Sequence, residues 1–204
     1  IITLGTGVSF INRVALSSGG KFITISVFAN GVTAGDNAYR ILKSSDYGVS
    51  FSDITDNVGF PSTGAYFDVS IQDALISGNG KYEIYFNAGG ASRYSDDYGA
   101  SFIDKNYAQI DWNGSGQISE SGKYFMLEGG QSSRYSTDFG ASETLLPVPN
   151  ASYGDIGVNS SGKFSFATGG NSNSMLYSND FFATFTAIGP VAGVTKPFIL
   201  VDVS

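Results

Sequence analysis

A segment that is repeated four times along the chain constrains its fold more than any other feature. One landmark of the repeat is a Gly-Lys-aromatic step, found at 20–22, 80–82, 122–124 and 162–164. The other is a Ser-x-Asp segment downstream of each step. Its aspartates lie 51, 41 and 42 positions apart, at Asp46, Asp97, Asp138 and Asp180. Repetition at a period of this length indicates that one structural unit is built several times, side by side.

Each repeat has the composition of several short β-strands. Apolar and polar residues alternate in segments such as KFSFA (163–167), and aromatic residues are enriched in KYEIYF (81–86). Gly-rich turns separate these segments, and no stretch keeps the periodicity of a helix. A unit of four strands in roughly 40 residues is typical of a β-propeller blade.

The sequence therefore predicts an all-β fold, a β-propeller of four regular blades in a single domain over residues 1–204. The N-terminal TLGTGVSF (3–10) looks like a decayed copy of the Ser-x-Asp segment, and FILVDV (198–203) is an apolar tail. We expect the two termini to form a small composite closing blade or strand, because closure removes exposed strand edges. Since the chain begins at Ile1, we expect a fragment of a longer protein. The predicted blades cover 11–56, 67–106, 115–148 and 153–190, and the closure joins 1–10 with 191–204.

The two landmarks together resemble the Asp-box (BNR) repeat of sialidase-like β-propellers, over most of the chain. That family includes sialidases, non-catalytic sensor domains, and tail or spike proteins of viruses. Two copies depart from the pattern, with Glu143 in place of the aromatic residue and Phe182 in place of the turn glycine. Ser and Asp side chains hydrogen-bond backbone N–H groups in turns, and Gly adopts a left-handed conformation without strain. A structural role is therefore predicted for the Asp-box residues Ser44, Asp46, Gly48, Phe51, Ser95, Asp97, Gly99, Phe102, Ser136, Asp138, Gly140, Ser178, Asp180 and Phe185.

Composition excludes several classes of function. The chain has no Cys and no His, so thiol chemistry, Cys or His metal ligands and a Ser–His–Asp triad are all excluded. A net charge of −7 argues against nucleic acid as a partner, because phosphate binding needs a basic surface. No apolar run approaches the roughly 20 residues of a membrane span.

The sequence predicts that the protein is not an enzyme. Sialidases of the resembled family are six-bladed and use three converging arginines, whereas this chain is too short for six blades and contains only four arginines. Any other glycosidase would need two facing carboxylates. The candidates Glu83, Asp111 and Glu128 show no spacing that pairs them.

The aromatic candidates for ligand binding lie in the connections between blades, at the end of the strands opposite the Asp-box turns. Aromatic rings cover the apolar face of a sugar, so these connections predict carbohydrate recognition; filling of the space between blades is the alternative for Trp112. Two arginines occupy equivalent positions in successive blades and would clamp an acidic group, or else form salt bridges between blades. The candidates are Trp112, Tyr107, Phe60, Tyr66, Arg93 and Arg134.

One loop offers oxygen ligands to a metal ion. Asp53, Asp56 and Asn57 fall within five residues and could bind a hard cation such as Ca²⁺. Ca²⁺ is the one cofactor that the sequence suggests.

The function predicted from the sequence is that of a non-catalytic receptor- or glycan-binding module, the host-recognition head of a viral spike or tail fibre. Such a module would be extracellular or on the virion surface, and its partners would be a cell-surface glycan or protein receptor and sibling domains of the parent chain. The alternatives are a purely structural propeller that packs against those domains, and a sialidase-like glycosidase.

Overall fold

The fold is all-β, as predicted. The computed structural model describes residues 8–29, 39–60, 71–87, 91–105, 116–128, 133–147, 156–168 and 175–188. These residues form sixteen strands in four sheets of four, together with one helix of four residues. In the described part of the chain no helix is long and apolar enough to cross a membrane.

Each sheet is built from consecutive strands. Sheet 1 contains β1 (Val8–Leu16), β2 (Ile23–Ala29), β3 (Tyr39–Ser44) and β4 (Ser52–Asp53), followed by the helix α1 (Thr55–Val58). Sheet 2 contains β5 (Ile71–Ile76), β6 (Glu83–Asn87), β7 (Ser92–Ser95) and β8 (Ile103–Lys105). Sheet 3 contains β9 (Gly116–Ile118), β10 (Phe125–Leu127), β11 (Arg134–Ser136) and β12 (Thr144–Leu145). Sheet 4 contains β13 (Ile156–Val158), β14 (Ser165–Thr168), β15 (Met175–Ser178) and β16 (Thr186–Ile188).

All four sheets are antiparallel meanders in which each strand pairs with the next along the chain. The first strands of successive sheets are neighbours in space, β1 beside β5, β5 beside β9 and β9 beside β13. The sheets are therefore arranged one after another around their first strands. This is a propeller-like arrangement.

The meander gives each sheet two distinct ends. At the turn end, the first strand leads into the second through the Gly-Lys-aromatic step, and the third leads into the fourth through the Ser-x-Asp turn. At the loop end, the second strand leads into the third, and the last strand leads to the following sheet. The turn end is described in full, for instance over Leu16–Ile23 and Ser44–Ser52 in sheet 1.

The hydrophobic core lies between neighbouring sheets. One cluster between sheets 1 and 2 includes Ile41, Val58 and Tyr85, and two further clusters join sheets 2 to 3 and 3 to 4. All five residues of β6 are buried, because β6 has another sheet against each of its faces. Each large apolar side chain buried in this way contributes roughly 1.5–3 kcal/mol.

The N-terminal segment differs from its prediction. Val8–Phe10 belong to β1, and Val8 and Phe10 pair with Ala29 and Phe28 of β2 across an irregularity in the register. Alternating apolar residues fit the first strand of a sheet as well as the last, so the pattern alone misplaced them. Residues 1–7 and 189–204, which carry the rest of the predicted closure, lie outside the described residues. The four sheets fall within the predicted blades apart from this extension of β1.

Candidate functional site

The Ser-x-Asp turns form closed networks of hydrogen bonds. In sheet 1 the Ser44 hydroxyl donates to Asp46 Oδ1 at 2.7 Å and accepts from the Gly48 N–H at 2.8 Å. Ser50 donates its N–H to Asp46 Oδ1 at 2.9 Å and its hydroxyl to Oδ2 at 2.6 Å. The hydrogen bonds from Ser50 and Ser44 lower the pKa of Asp46 to about 2. Equivalent bonds surround Asp97, Asp138 and Asp180.

Two features of these turns escaped the sequence analysis. A Ser or Thr four residues after each aspartate completes the network, at Ser50, Ser101, Ser142 and Thr184. The aromatic residue directly after each aspartate is left-handed, with φ between 59° and 63°, at Tyr47, Tyr98, Phe139 and Phe181. Both features recur in all four copies, so the aligned repeats contained the signal.

The two departures from the repeat have local explanations. Phe182, which replaces the turn glycine, adopts the glycine-like φ of 69° and is buried against Tyr124 and Tyr135. Glu143, which replaces the aromatic residue, lies 3.7 Å from the guanidinium of Arg134. Burial raises the pKa of Glu143, and Arg134 opposes that shift.

Arg93 is engaged by protein groups. Its Nε donates to the Val58 carbonyl at 2.9 Å, an Nη donates to the Gly59 carbonyl at 2.8 Å, and the guanidinium also forms a salt bridge with Asp104. The side chain thus ties sheet 2 to the loop that follows α1 in sheet 1. This geometry favours a structural role for Arg93, although its salt bridge joins two strands of sheet 2 rather than two blades as the alternative expected.

Phe60 is not an exposed platform. Its ring is 5% exposed, lies under the Arg93 guanidinium at 5.0 Å, and meets Tyr39 edge to face. The prediction that Phe60 contacts a ligand is therefore wrong for this structure. The aromatic residue in an irregular loop folds back into the core because it can bury against Tyr39 and Val58.

Arg134 is half-buried, and its ion pair with Glu143 leaves its Nε buried without a hydrogen-bond partner in the described residues. The structure brings Arg134 near neither Arg93 nor a described aromatic candidate. Its predicted contact with a ligand stays a prediction.

The three proposed metal ligands lie directly before α1 or on it. Asp53 Oδ1 accepts the Thr55 N–H at 3.0 Å, and its other oxygen lies 3.7 Å from Arg40. Asp56 and Asn57 are exposed on the helix. Among the described residues no cluster of three acidic side chains could hold a metal ion.

A cavity of about 440 Å³ lies between the first strands β1, β5 and β9. Asp73 and Gly116 line it near the loop end, and Ser18, Gly78 and Glu120 line it at the turn end. The Ser18 hydroxyl of sheet 1 donates to the Glu120 carboxylate of sheet 3. This hydrogen bond crosses the turn end of the cavity, so a ligand would approach from the loop end.

Asp73 is the most perturbed acid in the cavity. Its two oxygens accept the N–H groups of Ala74 at 2.9 Å and Gly116 at 2.8 Å, and Arg13 lies 3.7 Å away. Burial raises its pKa to about 6, although these N–H groups and Arg13 oppose the shift. Nothing in the repeat shows that the first strands enclose a cavity, so sequence reasoning could not place Asp73 in one.

A second buried acid joins sheets 1 and 2. Glu83 forms a buried salt bridge with Lys43 and accepts the Tyr85 hydroxyl at 2.8 Å, and that hydroxyl lies 3.0 Å from the Thr24 hydroxyl. Burial raises the pKa of Glu83, and Lys43 opposes the shift. Glu83 is therefore enclosed in the packing between sheets, away from the cavity. Glu128 is also buried, and Asp111 lies outside the described residues.

Three aromatic candidates lie outside the described residues. Trp112 and Tyr107 belong to the segment between Lys105, the last residue of β8, and Gly116, the first of β9. Tyr66 precedes β5 by five positions. Trp112 precedes Gly116, which lines the loop end of the cavity, by four positions in the sequence.

Comparison with known proteins shows the fold and leaves the family open. No protein-family profile matches the sequence, and no curated protein matches it. A GH74 enzyme of Niastella koreensis has a similar structure, with a TM-score of 0.59 and 14% identity over 94% of this chain and 34% of that chain. The GH74 xyloglucanase of Xanthomonas campestris has a TM-score of 0.59 and 13% identity, over 91% of this chain and 31% of that chain.

These neighbours are β-propeller glycoside hydrolases, and they support the propeller-like arrangement of the sheets. The chain spans about a third of the length of either enzyme. At such low identity the likeness concerns the fold alone. The resemblance to the Asp-box repeat remains an interpretation of the sequence.

Proposed function

We propose that this protein is a carbohydrate-binding β-propeller module with no catalytic activity of its own. The observation that carries the proposal is the cavity between β1, β5 and β9, in a fold shared with glycoside hydrolases. Its volume of about 440 Å³ falls in the range of roughly 300–1,000 Å³ that is usual for small-molecule sites. Polar groups of Asp73, Gln117 and Ser160 line it beside the aliphatic chains of Leu75 and Ile118. Polar groups that fix orientation, placed beside apolar side chains, are what an oriented sugar ring requires.

The loop end is the side from which we propose that the sugar enters. The turn end is crossed by the Ser18–Glu120 hydrogen bond, and the turn carboxylates are occupied by their own turns. The segment that carries Tyr107 and Trp112 leads directly into Gly116 at the loop end. An aromatic ring beside a polar pocket would cover the apolar face of a pyranose.

The finer prediction, a host-recognition head on a viral spike or tail fibre, is part of this proposal. It rests on the resemblance stated from the sequence. The extracellular or virion location and the receptor partner rest on the same resemblance. A carbohydrate-binding module serves a virion and a polysaccharide-degrading enzyme equally well, so the binding test below applies to both settings.

Calorimetric titration with xyloglucan oligosaccharides, alongside a glycan array, tests the proposal. We expect saturable binding, and we expect Trp112→Ala to weaken it by more than about 1 kcal/mol, as central aromatic anchors do. Lys81→Ala is the matched control at the turn end and should leave the affinity unchanged. If Lys81→Ala weakens binding and Trp112→Ala does not, the sugar binds at the turn end and the proposed site is wrong. Failure of every glycan to bind would favour a purely structural propeller.

A glycosidase is the second candidate, and one observation favours it. Asp73 and Glu120 line opposite ends of the same cavity, and the raised pKa of Asp73 is a property that a general acid needs. Both oxygens of Asp73 are already held by backbone N–H groups, and this favours a structural carboxylate. Release of reducing ends from xyloglucan, abolished by Asp73→Asn, would establish the glycosidase and refute the non-catalytic proposal.

A further inference from the structure

One aromatic contact recurs at every junction between successive sheets. The left-handed aromatic residue of a Ser-x-Asp turn packs on the ring of the Gly-Lys-aromatic step in the preceding sheet. The ring centroids are 5.0–5.4 Å apart. The three pairs are Phe22–Tyr98, Tyr82–Phe139 and Tyr124–Phe181.

A turn glycine belongs to the same junction. Gly80, Gly122 and Gly162 all have φ near 77°, and a Cβ on any of them would overlap the aromatic ring of the preceding sheet. Backbone hydrogen bonds between successive turns accompany this packing, such as Ser18 N–H to the Gly78 carbonyl at 3.1 Å. Each sheet therefore presents a front face, with its turn glycine and left-handed aromatic, to the rear face of the sheet before it.

The front face of sheet 1 has no such partner among the described residues. Tyr47 is 67% exposed, whereas its counterparts Tyr98, Phe139 and Phe181 are 38–49% exposed. A Cβ on Gly20 would meet nothing within 4 Å. Leu16, at the end of β1, is 55% exposed, while Ile76 at the same position of β5 is 6% exposed.

The rear face of sheet 4 is open in the same way. Phe164 occupies the position of Phe22, Tyr82 and Tyr124, yet no described aromatic ring packs on it, and 38% of it is exposed. The two open faces are thus the two halves of a junction that the chain makes three times within itself. The front face of sheet 1 offers a turn glycine and a left-handed aromatic residue, and the rear face of sheet 4 offers the aromatic ring on which these pack at the internal junctions.

We propose that the front face of one copy of this chain docks on the rear face of a second copy, with Tyr47 against Phe164. The interface continues the internal junctions and needs no new kind of contact. Segments 1–7 and 189–204 contain neither a complete Gly-Lys-aromatic step nor a complete Ser-x-Asp turn. Because the contact is head-to-tail, copies assemble into rings or open chains.

Sedimentation velocity of the 204-residue chain over a concentration series tests this proposal. Small transient interfaces have dissociation constants in the micromolar range and above, so we expect a dissociation constant below about 200 µM. Tyr47→Asp and Phe164→Asp should each raise the dissociation constant at least tenfold. The matched control is Val49→Asp, in the same turn as Tyr47 and 85% exposed, because the counterparts of Val49 are exposed at every junction.

Mixing the two interface variants distinguishes this geometry from other modes of association. The Tyr47→Asp chain keeps an intact rear face and the Phe164→Asp chain an intact front face, so the mixture should form a one-to-one dimer that cannot extend. Circular dichroism checks that both variants remain folded. Since the chain contains no Cys, Tyr47→Cys and Phe164→Cys chains joined by a short thiol cross-linker provide a second measurement. The proposal is overturned if the wild-type chain stays monomeric, which is the result expected if its own termini close the fold. It is also overturned if Val49→Asp weakens association as much as the interface variants do, or if the mixture of Tyr47→Asp and Phe164→Asp chains does not form a dimer.

Discussion

Individual acids have opposite electrostatic environments in this protein. The turn aspartates receive hydroxyl and N–H donors at the surface. Burial is the largest single influence on the pKa of Asp97 and raises it, but the hydrogen bonds together outweigh burial and lower that pKa to about 2. Asp73 sits beside the cavity, where burial outweighs its N–H donors and raises its pKa to about 6. The same residue type thus stabilises a turn in one place and carries a titratable charge in the other.

This contrast predicts how stability depends on pH. An acid whose pKa is higher in the folded chain binds its proton more tightly there, so the free energy of unfolding falls as pH rises from about 4 to 6. Asp73→Asn should remove about 2–3 kcal/mol of that fall, since one pKa unit corresponds to about 1.4 kcal/mol. Denaturant unfolding at a series of pH values measures it.

The control for that experiment is Asp97→Asn. The pKa of Asp97 is lowered, so its contribution is complete above about pH 4 and is lost as pH falls towards 2. Above pH 4 the Asp97→Asn profile should run parallel to that of wild type at a lower free energy of unfolding, and its slope should differ only below pH 4. If Asp73→Asn leaves the slope of the unfolding free energy between pH 4 and 6 unchanged, burial does not raise the pKa of Asp73.

At the scale of single elements, the Gly-Lys-aromatic turn joins neighbouring sheets as well as neighbouring strands. Ser77 accepts the Tyr82 N–H at 2.9 Å within its turn, while Asn79 donates its N–H to the Glu120 carbonyl of the next sheet at 3.2 Å. The turn glycine allows the aromatic ring of the preceding sheet to come close. The absence of a side chain at the turn glycine therefore permits neighbouring sheets to pack this closely.

Gly122→Ala tests this role against the matched Gly20→Ala. Both glycines have positive φ, so each alanine variant should lose about 1 kcal/mol from backbone strain. At Gly122 the added methyl group would also overlap the Tyr82 ring, which should bring the loss to about 2–4 kcal/mol. Urea denaturation compares the two. Equal losses would mean that Gly122 serves only its own turn.

At the scale of the whole molecule, the repeat made the all-β fold and the turns predictable from sequence, because their hydrogen bonds join residues within a few positions of one another. The site was less predictable. Phe60 packs under Arg93, 33 positions away, and Asp73 accepts the Gly116 N–H, 43 positions away. Contacts between sheets depend on how the sheets are arranged, and the period of the repeat does not encode that arrangement.

Intrinsic fluorescence of Trp112 is the most direct test of carbohydrate binding at the loop end. Trp112 is the only tryptophan in the chain, so its emission reports on one segment, the one that precedes Gly116 in the sequence. Titration with xyloglucan oligosaccharides, or with the best glycan from the array, should change the emission saturably, with the dissociation constant found by calorimetry. Lys81→Ala should behave as wild type. Calorimetric binding without any change in Trp112 emission would contradict the account.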